Sequence, residues 1–180
     1  MAKREVIREL QARLASRLQA ARDEGLSVSW LAVRSGGHNY LLPLAQSGEI
    51  FPIGSLQPVP YARPWFRGVV NLRGGLYGVV DLSDFVAEGV AALAPSGSPV
   101  PEAFVVTLNA TLNVNCALLV DVLAGLRHAD GFASAKAPAA ELPPYFGNCF
   151  TDAAGESWQE INLQTLAQFP RFLNITAQVT

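Results

Sequence analysis

The sequence predicts a mainly β protein in which two small barrels, each closed by a short helix, share a core. Short apolar segments bounded by glycine, proline and asparagine turns dominate the chain. They fall into two batches on either side of residues 89–101, where small residues and three prolines indicate a linker. A weak internal repeat supports this division, because each batch ends in a strand, a turn, a strand and a helix-capping residue.

The composition excludes several classes of protein. The 180 residues are 50% hydrophobic and 16% charged, which is typical of a globular protein. The sequence has no apolar run near the roughly 20 residues that a membrane helix needs, and its charged first residues do not resemble a signal peptide. A net charge of −2 argues against nucleic-acid binding. We therefore expect a cytoplasmic protein with no nucleic-acid partner and no direct insertion into the membrane.

Residues that carry chemistry are few and scattered. His38 and His128 lack metal-ligand spacing, and Cys116 and Cys149 are too far apart for a zinc knuckle or a disulfide framework. The sequence has no phosphate-binding loop and no nucleophile motif. Asp81 is interpreted as a helix cap. The sequence therefore predicts no enzyme activity, no catalytic residue, no cofactor and no metal site.

Residues 5–24 have the spacing of an amphipathic helix. Apolar side chains recur every three or four residues, at Ile7, Leu10, Leu14, Leu18 and Ala21. Gly25 supplies a stop signal. We expect residues 1–24 to form an N-terminal helix that covers a sheet edge, and residues 25–180 to form the β domain.

The first barrel and its closing helix are predicted at about residues 28–88. Its strands are expected at Val28–Arg34, Tyr40–Leu44, Val69–Arg73 and Leu76–Val80. The Gly74-Gly75 pair is predicted to turn the last hairpin, because glycine readily supplies positive φ. Asp81 then opens a helix over Ser83–Ala87.

The second barrel is predicted at about residues 102–173. Its strands are expected at Phe104–Leu108, Asn115–Val122, Phe146–Thr151 and Trp158–Ile161. Asn162 is placed to cap a short helix over Gln164–Gln168, as Asp81 does in the first half.

One stretch of the first half is basic and aromatic. Between Glu49 and Asp81 the sequence has no acidic residue but three arginines, which are Arg63, Arg67 and Arg73. Trp, Tyr and Arg dominate binding hot spots, so this stretch is a candidate protein-binding surface. The alternative is that Trp65 and Phe66 are core residues at the lip of a barrel.

The same stretch contains a recognisable motif. Residues 69–74 read Val-Val-Asn-Leu-Arg-Gly and are followed by Leu76–Val80 and Asp81-Leu82. This arrangement resembles the central signature of CheW-like domains, a Gly-Val-x-Asn-Leu-Arg-Gly hairpin that leads to Val-Asp-Leu. The residues matched as structural parts of the signature are Gly68, Asn71, Leu72, Arg73, Gly74 and Asp81. Weaker matches, including Glu49-Ile50 upstream, extend the resemblance from residue 28 to about 170.

The resemblance implies a CheW-like fold of two intertwined five-stranded β-barrels with no active site. It implies a non-catalytic adaptor that links a chemoreceptor tip to the regulatory domain of a CheA-type histidine kinase. The N-terminal helix, the chain length and the divergent second half are most similar to family members that serve type IV pili and twitching motility. An adaptor of flagellar chemotaxis and, less favoured, a small-ligand β-barrel remain the alternatives.

The resemblance also implies which residues face the kinase. Leu56 and Val59 are matched to kinase-facing positions. Because Arg63 and Arg67 follow closely, we expect them to form a basic rim that favours an acidic partner surface.

A second surface is implied for the chemoreceptor. The residues matched to the receptor groove are Leu44, Ser47 and Ile50. Ser47 stands where the family usually has an apolar residue. The resemblance places Glu49 and Arg73 on neighbouring strands, where we expect them to form a surface salt bridge.

Overall fold

The structure is a computed structural model that describes residues 29–90, 93 and 102–177. The helix predicted at residues 1–24 and most of the linker predicted at 89–101 lie outside the described residues. No helix within the described ranges is long and apolar enough to cross a membrane.

Across the described residues the chain forms eleven strands and three α-helices. The strands are β1 (Ser29–Ser35), β2 (His38–Pro43), β3 (Ser47–Pro52), β4 (Phe66–Leu72), β5 (Gly75–Asp81), β6 (Phe104–Leu108), β7 (Cys116–Val120), β8 (Val122–His128), β9 (Phe132–Lys136), β10 (Phe146–Asp152) and β11 (Ser157–Ile161). The helices are α1 (Leu82–Gly89), α2 (Leu163–Ala167) and α3 (Pro170–Leu173). Short 3₁₀ turns lie at Ala110–Leu112 and Ala129–Gly131.

The strands form two mixed sheets that exchange strands between the halves of the chain. The six-stranded sheet has the order β8-β1-β2-β11-β10-β9, and the five-stranded sheet has the order β3-β6-β7-β5-β4. The mainly β, intertwined fold is therefore confirmed. The boundaries predicted at 28–88 and 102–173 do not coincide with the sheets, because β1 and β2 join the C-terminal strands while β6 and β7 join β3–β5. One sheet has six strands rather than five because β9 pairs with β10.

Each sheet encloses a core of its own, and a third core lies between the sheets. Val79 and Leu119 belong to the core of the five-stranded sheet, whereas Trp30 and Trp158 belong to that of the six-stranded sheet. Strands that border two cores are buried on both faces. For example, Leu118 in β7 packs into the shared core next to Leu119. This double burial explains why β7 is a continuous apolar run.

Two helix caps confirm the repeat seen in the sequence. Asp81 accepts a hydrogen bond from the Asp84 N–H at 3.1 Å, and Asn162 accepts one from the Thr165 N–H at 2.9 Å. The helices that follow, α1 and α2, bury apolar faces in the shared core through Leu82, Phe85, Val86, Leu163, Leu166 and Ala167. Both helices thus begin one residue before the predicted ranges, directly after the predicted capping residues.

The region after β7 differs from the prediction. Instead of one strand over Asn115–Val122, β7 ends at Val120 and β8 begins at Val122. At Asp121 the chain bends and passes from the five-stranded to the six-stranded sheet. The Asp121 N–H donates to the Arg34 carbonyl at 2.9 Å, and its carboxylate accepts from the Gly36 N–H at 2.8 Å. The sequence prediction missed β8 and β9 because they are largely exposed outer strands without a regular apolar alternation.

Candidate partner-binding surface

A loop that spans residues 57–63, here called the proline loop, is fixed at both ends. At its start Gln57 and Val69 exchange backbone hydrogen bonds of 2.8 and 2.9 Å. Gly68 has a φ of +131°, and a Cβ at this position would collide with the Gln57 carbonyl. The predicted structural glycine is therefore required because the loop backbone lies directly against β4.

The other end of the proline loop pairs with residues 175–177. The Arg63 N–H donates to the Ile175 carbonyl at 2.7 Å, and the Ala177 N–H donates to the Tyr61 carbonyl at 2.8 Å. Between the two fixed ends, Pro58 and Pro60 restrict the backbone further, because their rings hold φ near −65°. The loop is therefore built to present its exposed side chains in one conformation.

The two kinase-facing candidates differ in burial. Val59 lies in the proline loop with 36% of its surface exposed. Leu56 is partly buried against the core of the five-stranded sheet. Only Val59 is thus a surface residue of the kind expected, while Leu56 contributes in part to the core.

The expectation that Arg63 and Arg67 form a basic rim is wrong, because acids of the same chain pair with both side chains. Arg67 contacts the carboxylates of Asp81 at 2.9 Å and Asp84 at 2.6 Å, and Arg63 contacts Glu88 at 2.8 Å. These acids lie at the end of β5 and in α1, which folds back over the acid-free stretch. Both arginines therefore hold α1 against the start of β4 rather than offering free positive charge to a partner.

The signature hairpin is confirmed, with its turn one residue earlier than predicted. Leu72 pairs with Gly75, so Arg73 and Gly74 are the two turn residues, with φ values of 49° and 84°. Positive φ at both positions matches the right-handed twist of the flanking strands. The Asn71 carboxamide oxygen accepts the Gly74 N–H at 3.0 Å, and Leu72 is buried. Asn71 thus closes the hairpin turn, and Leu72 packs in the core of the five-stranded sheet.

The predicted salt bridge between Glu49 and Arg73 is confirmed. Arg73 Nη1 lies 2.7 Å from Glu49 Oε2, and the guanidinium carbon lies 5.6 Å from the centre of the Phe51 ring. The two residues are not on neighbouring strands, since β3 and β4 are the outer strands of the five-stranded sheet. Their contact shows that the sheet curls until its outer strands meet, as barrel closure requires.

The receptor-facing candidates, like the kinase-facing ones, differ in burial. Leu44 and Ile50 are exposed, at 43% and 42%, on either side of the turn between β2 and β3. Ser47 is only 7% exposed, and its hydroxyl donates to the Pro43 carbonyl at 3.0 Å. The expectation that Ser47 faces a partner is therefore wrong, because its hydroxyl stabilises the turn from within.

Cavities near the surface are small. One cavity of about 250 Å³ lies beside Trp65 and Glu88, and one of about 200 Å³ lies beside Tyr40 and Cys149. Both are below the roughly 300–1,000 Å³ of a small-molecule site, so they do not favour a ligand-binding barrel. Within residues 29–90 and 102–177 no cluster of histidine, cysteine and acidic side chains could hold a metal ion. Burial raises the pKa of the Cys116 thiol to about 12, which makes it a poor nucleophile.

Sequence reasoning missed Tyr61 as a site residue. Its side chain is 80% exposed, and its φ of +59° is uncommon outside glycine. Tyrosine is common in binding hot spots, so the basic, aromatic stretch was a candidate surface. Residue type alone, however, does not predict the backbone conformation of Tyr61.

The fold has a signature hairpin, a curled five-stranded sheet and a second sheet intertwined with it. Together these features define a class of protein. The sequence profile of the CheW-like domain matches residues 29–170, and the chain belongs to this family. Protein PilI of Pseudomonas aeruginosa is 28% identical over 166 residues, which cover 91% of this chain and 88% of PilI. The crystal structure of the scaffolding protein TtCheW from Thermoanaerobacter tengcongensis superposes with a TM-score of 0.61 at 13% identity. That match covers 76% of this chain and 89% of TtCheW, and it shows the shared fold.

Proposed function

We propose that this protein is a non-catalytic adaptor that couples a methyl-accepting chemoreceptor to a CheA-type histidine kinase. CheW-like proteins in general couple chemoreceptors to this kinase. The observation that carries the proposal is a pair of exposed apolar surfaces. One is Val59 on the proline loop, and the other is Leu44 with Ile50 around the turn that joins β2 of the six-stranded sheet to β3 of the five-stranded sheet. An adaptor needs two such binding sites held in a fixed relation.

The kinase face is centred on Val59. The backbone pairing of Gln57 with Val69 and the close approach at Gly68 hold the proline loop against β4. A loop ordered before binding loses less conformational entropy when a partner docks. Leu56, which precedes the loop, packs against the core, and Arg63 at the end of the loop pairs with Glu88 of α1. Arg67 of β4 pairs with Asp84 of the same helix.

The receptor face is centred on Leu44 and Ile50. These side chains flank a turn that Ser47 stabilises, because its hydroxyl donates a hydrogen bond to the Pro43 carbonyl. A chemoreceptor tip is a helical hairpin, and an apolar helix face docks into a groove through side chains of this kind. The salt bridge between Glu49 and Arg73 joins β3, which carries Ile50, to the hairpin turn.

The pathway we propose is the chemosensory system that controls type IV pili and twitching motility. The similarity to PilI, which extends over 91% of this chain, supports it. The adaptor would act in the cytoplasm, at membrane-associated arrays, because the kinase and the receptor tip meet there. The second candidate is the equivalent role in flagellar chemotaxis.

A pull-down from the native host tests both the partners and the pathway. The tagged protein should retain a CheA-type kinase and a chemoreceptor that belong to the pilus system. A Val59→Asp variant should lose the kinase, and a matched variant at an exposed valine of the six-stranded sheet, Val122→Asp, should keep it. Recovery of the flagellar kinase would redirect the pathway, and recovery of neither kinase would overturn the adaptor function.

A further inference from the structure

Tyr61 has an unusual combination of exposure and backbone conformation. It is the most exposed of the large apolar side chains in the described residues, at 80%, and it lies two residues after Val59. Among the described residues, its ring contributes to no core cluster. The folded chain therefore gains little from having an aromatic side chain there.

The backbone of Tyr61 is held in a conformation that its side chain disfavours. A φ of +59° brings Cβ close to the following carbonyl, which costs roughly 1–2 kcal/mol for residues other than glycine, asparagine and aspartate. The bond from the Ala177 N–H to the Tyr61 carbonyl and the pairing of Ala62 with Thr176 impose this conformation. Strain of this kind, when it occurs at an exposed residue, points to a role in binding.

The strained conformation projects the ring from a rigid base. Pro60 precedes Tyr61, and the antiparallel bridge to residues 175–177 begins at Tyr61 itself. A tyrosine has two side-chain torsions, so it buries a large area on binding with a small loss of side-chain entropy. Arg63, two residues after Tyr61, is paired with Glu88.

We propose that Tyr61 is the aromatic anchor of the kinase face and fills an apolar pocket on the regulatory domain of the kinase. This inference rests on the proposed adaptor function. The phenol ring enters the pocket beside Val59, and the hydroxyl donates to an acceptor at the pocket rim. The fold maintains a strained tyrosine at this position because the aromatic ring contributes to binding rather than to stability.

The test separates binding from stability at one position. Asparagine accepts positive φ better than tyrosine does, so Tyr61→Asn should keep or raise the melting temperature. The same change should weaken binding to the purified kinase regulatory domain at least tenfold. Tyr61→Phe should lose only the few-fold contribution of the hydroxyl. Leu126→Asn is the matched control, since Leu126 is an exposed apolar residue on β8 and should leave binding unchanged.

Tyr61→Gly is a second variant in case the asparagine variant folds poorly, because glycine adopts this φ without strain. Normal binding by a folded Tyr61→Asn or Tyr61→Gly protein overturns the inference. If Val59→Asp weakens binding while the Tyr61 variants bind normally, the inference is wrong and the adaptor function stands. If the wild-type protein does not bind the kinase domain, the adaptor function itself is wrong and the inference with it.

Discussion

The Arg73 guanidinium and the Glu49 carboxylate lie 2.7 Å apart and join the two outer strands of the five-stranded sheet. Arg73 is also the first turn residue of the signature hairpin, with a φ of 49°. Arg73 therefore takes part both in the hairpin turn and in the contact between the end of β4 and β3. Ile50 follows Glu49 directly, so this contact lies beside the proposed receptor face.

The salt bridge should stabilise the fold only slightly. Its side chains are 73% and 57% exposed, so a double-mutant cycle with Glu49→Ala and Arg73→Ala should give a coupling of about 0.2–1 kcal/mol. Urea unfolding of the four proteins measures this coupling, and salt should reduce it. The more distant pair Arg34 and Glu156, at 3.4 Å, provides the control cycle and should couple less. A coupling well above 2 kcal/mol would contradict this account.

Gly68 should be far more sensitive to substitution than another positive-φ glycine. Gly37 has a φ of +78° with no atom within 4 Å of a Cβ built there, so Gly37→Ala should lose only the roughly 1–2 kcal/mol of conformational strain. Gly68→Ala should lose a further ~1–3 kcal/mol, because the methyl group also collides with the Gln57 carbonyl. Urea midpoints of the two variants measure the difference. Equal losses would show that the proline loop is free to move away.

Kinase binding should depend little on salt. Because Arg63 and Arg67 are already paired with acids of the same chain, the affinity should change less than about threefold between roughly 50 and 300 mM NaCl. Glu88→Gln removes the partner of Arg63 and should make binding more sensitive to salt. Titrations at several salt concentrations test both statements, and a steep fall for the wild type would mean that free charges drive association.

Acid should destabilise the six-stranded sheet through Asp152. A hydrogen bond from the Trp158 indole N–H, at 3.0 Å, is the main cause that lowers the pKa of the Asp152 carboxyl, with the Glu156 and Ala154 N–H groups adding to it. A lowered folded-state pKa means that this stabilisation is complete above the unfolded-state pKa near 4 and disappears as the pH falls through the folded-state value. The stability difference between wild type and Asp152→Asn should therefore be greater at pH 7 than in acid.

Urea unfolding between about pH 7 and pH 3 measures that difference. Asp130→Asn is the control for the loss of a carboxylate at the surface, because Asp130 is exposed in a 3₁₀ turn. A difference that stays constant with pH would show that Asp152 does not carry the acid dependence.

The sequence predicted the elements that local chemistry defines. The caps at Asp81 and Asn162 and the core strand β6 lie where the pattern placed them, and the turn of the signature hairpin differs by one residue. Features that depend on distant parts of the chain could not be predicted in this way. The neutralisation of Arg67 requires α1 to fold onto β4.

The same limit applies to single residues of the candidate site. The burial of Ser47 depends on how the turn before β3 closes onto the Pro43 carbonyl. The conformation of Tyr61 is imposed by residues 175–177, more than a hundred positions away in the sequence. Residue type and spacing contain neither fact, so both required the structure.

In the proposed function, Val59 lies at the centre of the kinase face. If its side chain becomes buried in the complex, its burial contributes ~1.5–3 kcal/mol, and about 1.4 kcal/mol corresponds to a tenfold change in affinity. Titration of Val59→Asp against the purified kinase regulatory domain should therefore show binding at least tenfold weaker than that of the wild type. Val122→Asp should bind normally, and circular dichroism should show both variants folded. Leu56→Asp is expected to destabilise the fold, because Leu56 packs against the core. A folded Val59→Asp protein that binds the kinase domain as tightly as the wild type would contradict the account.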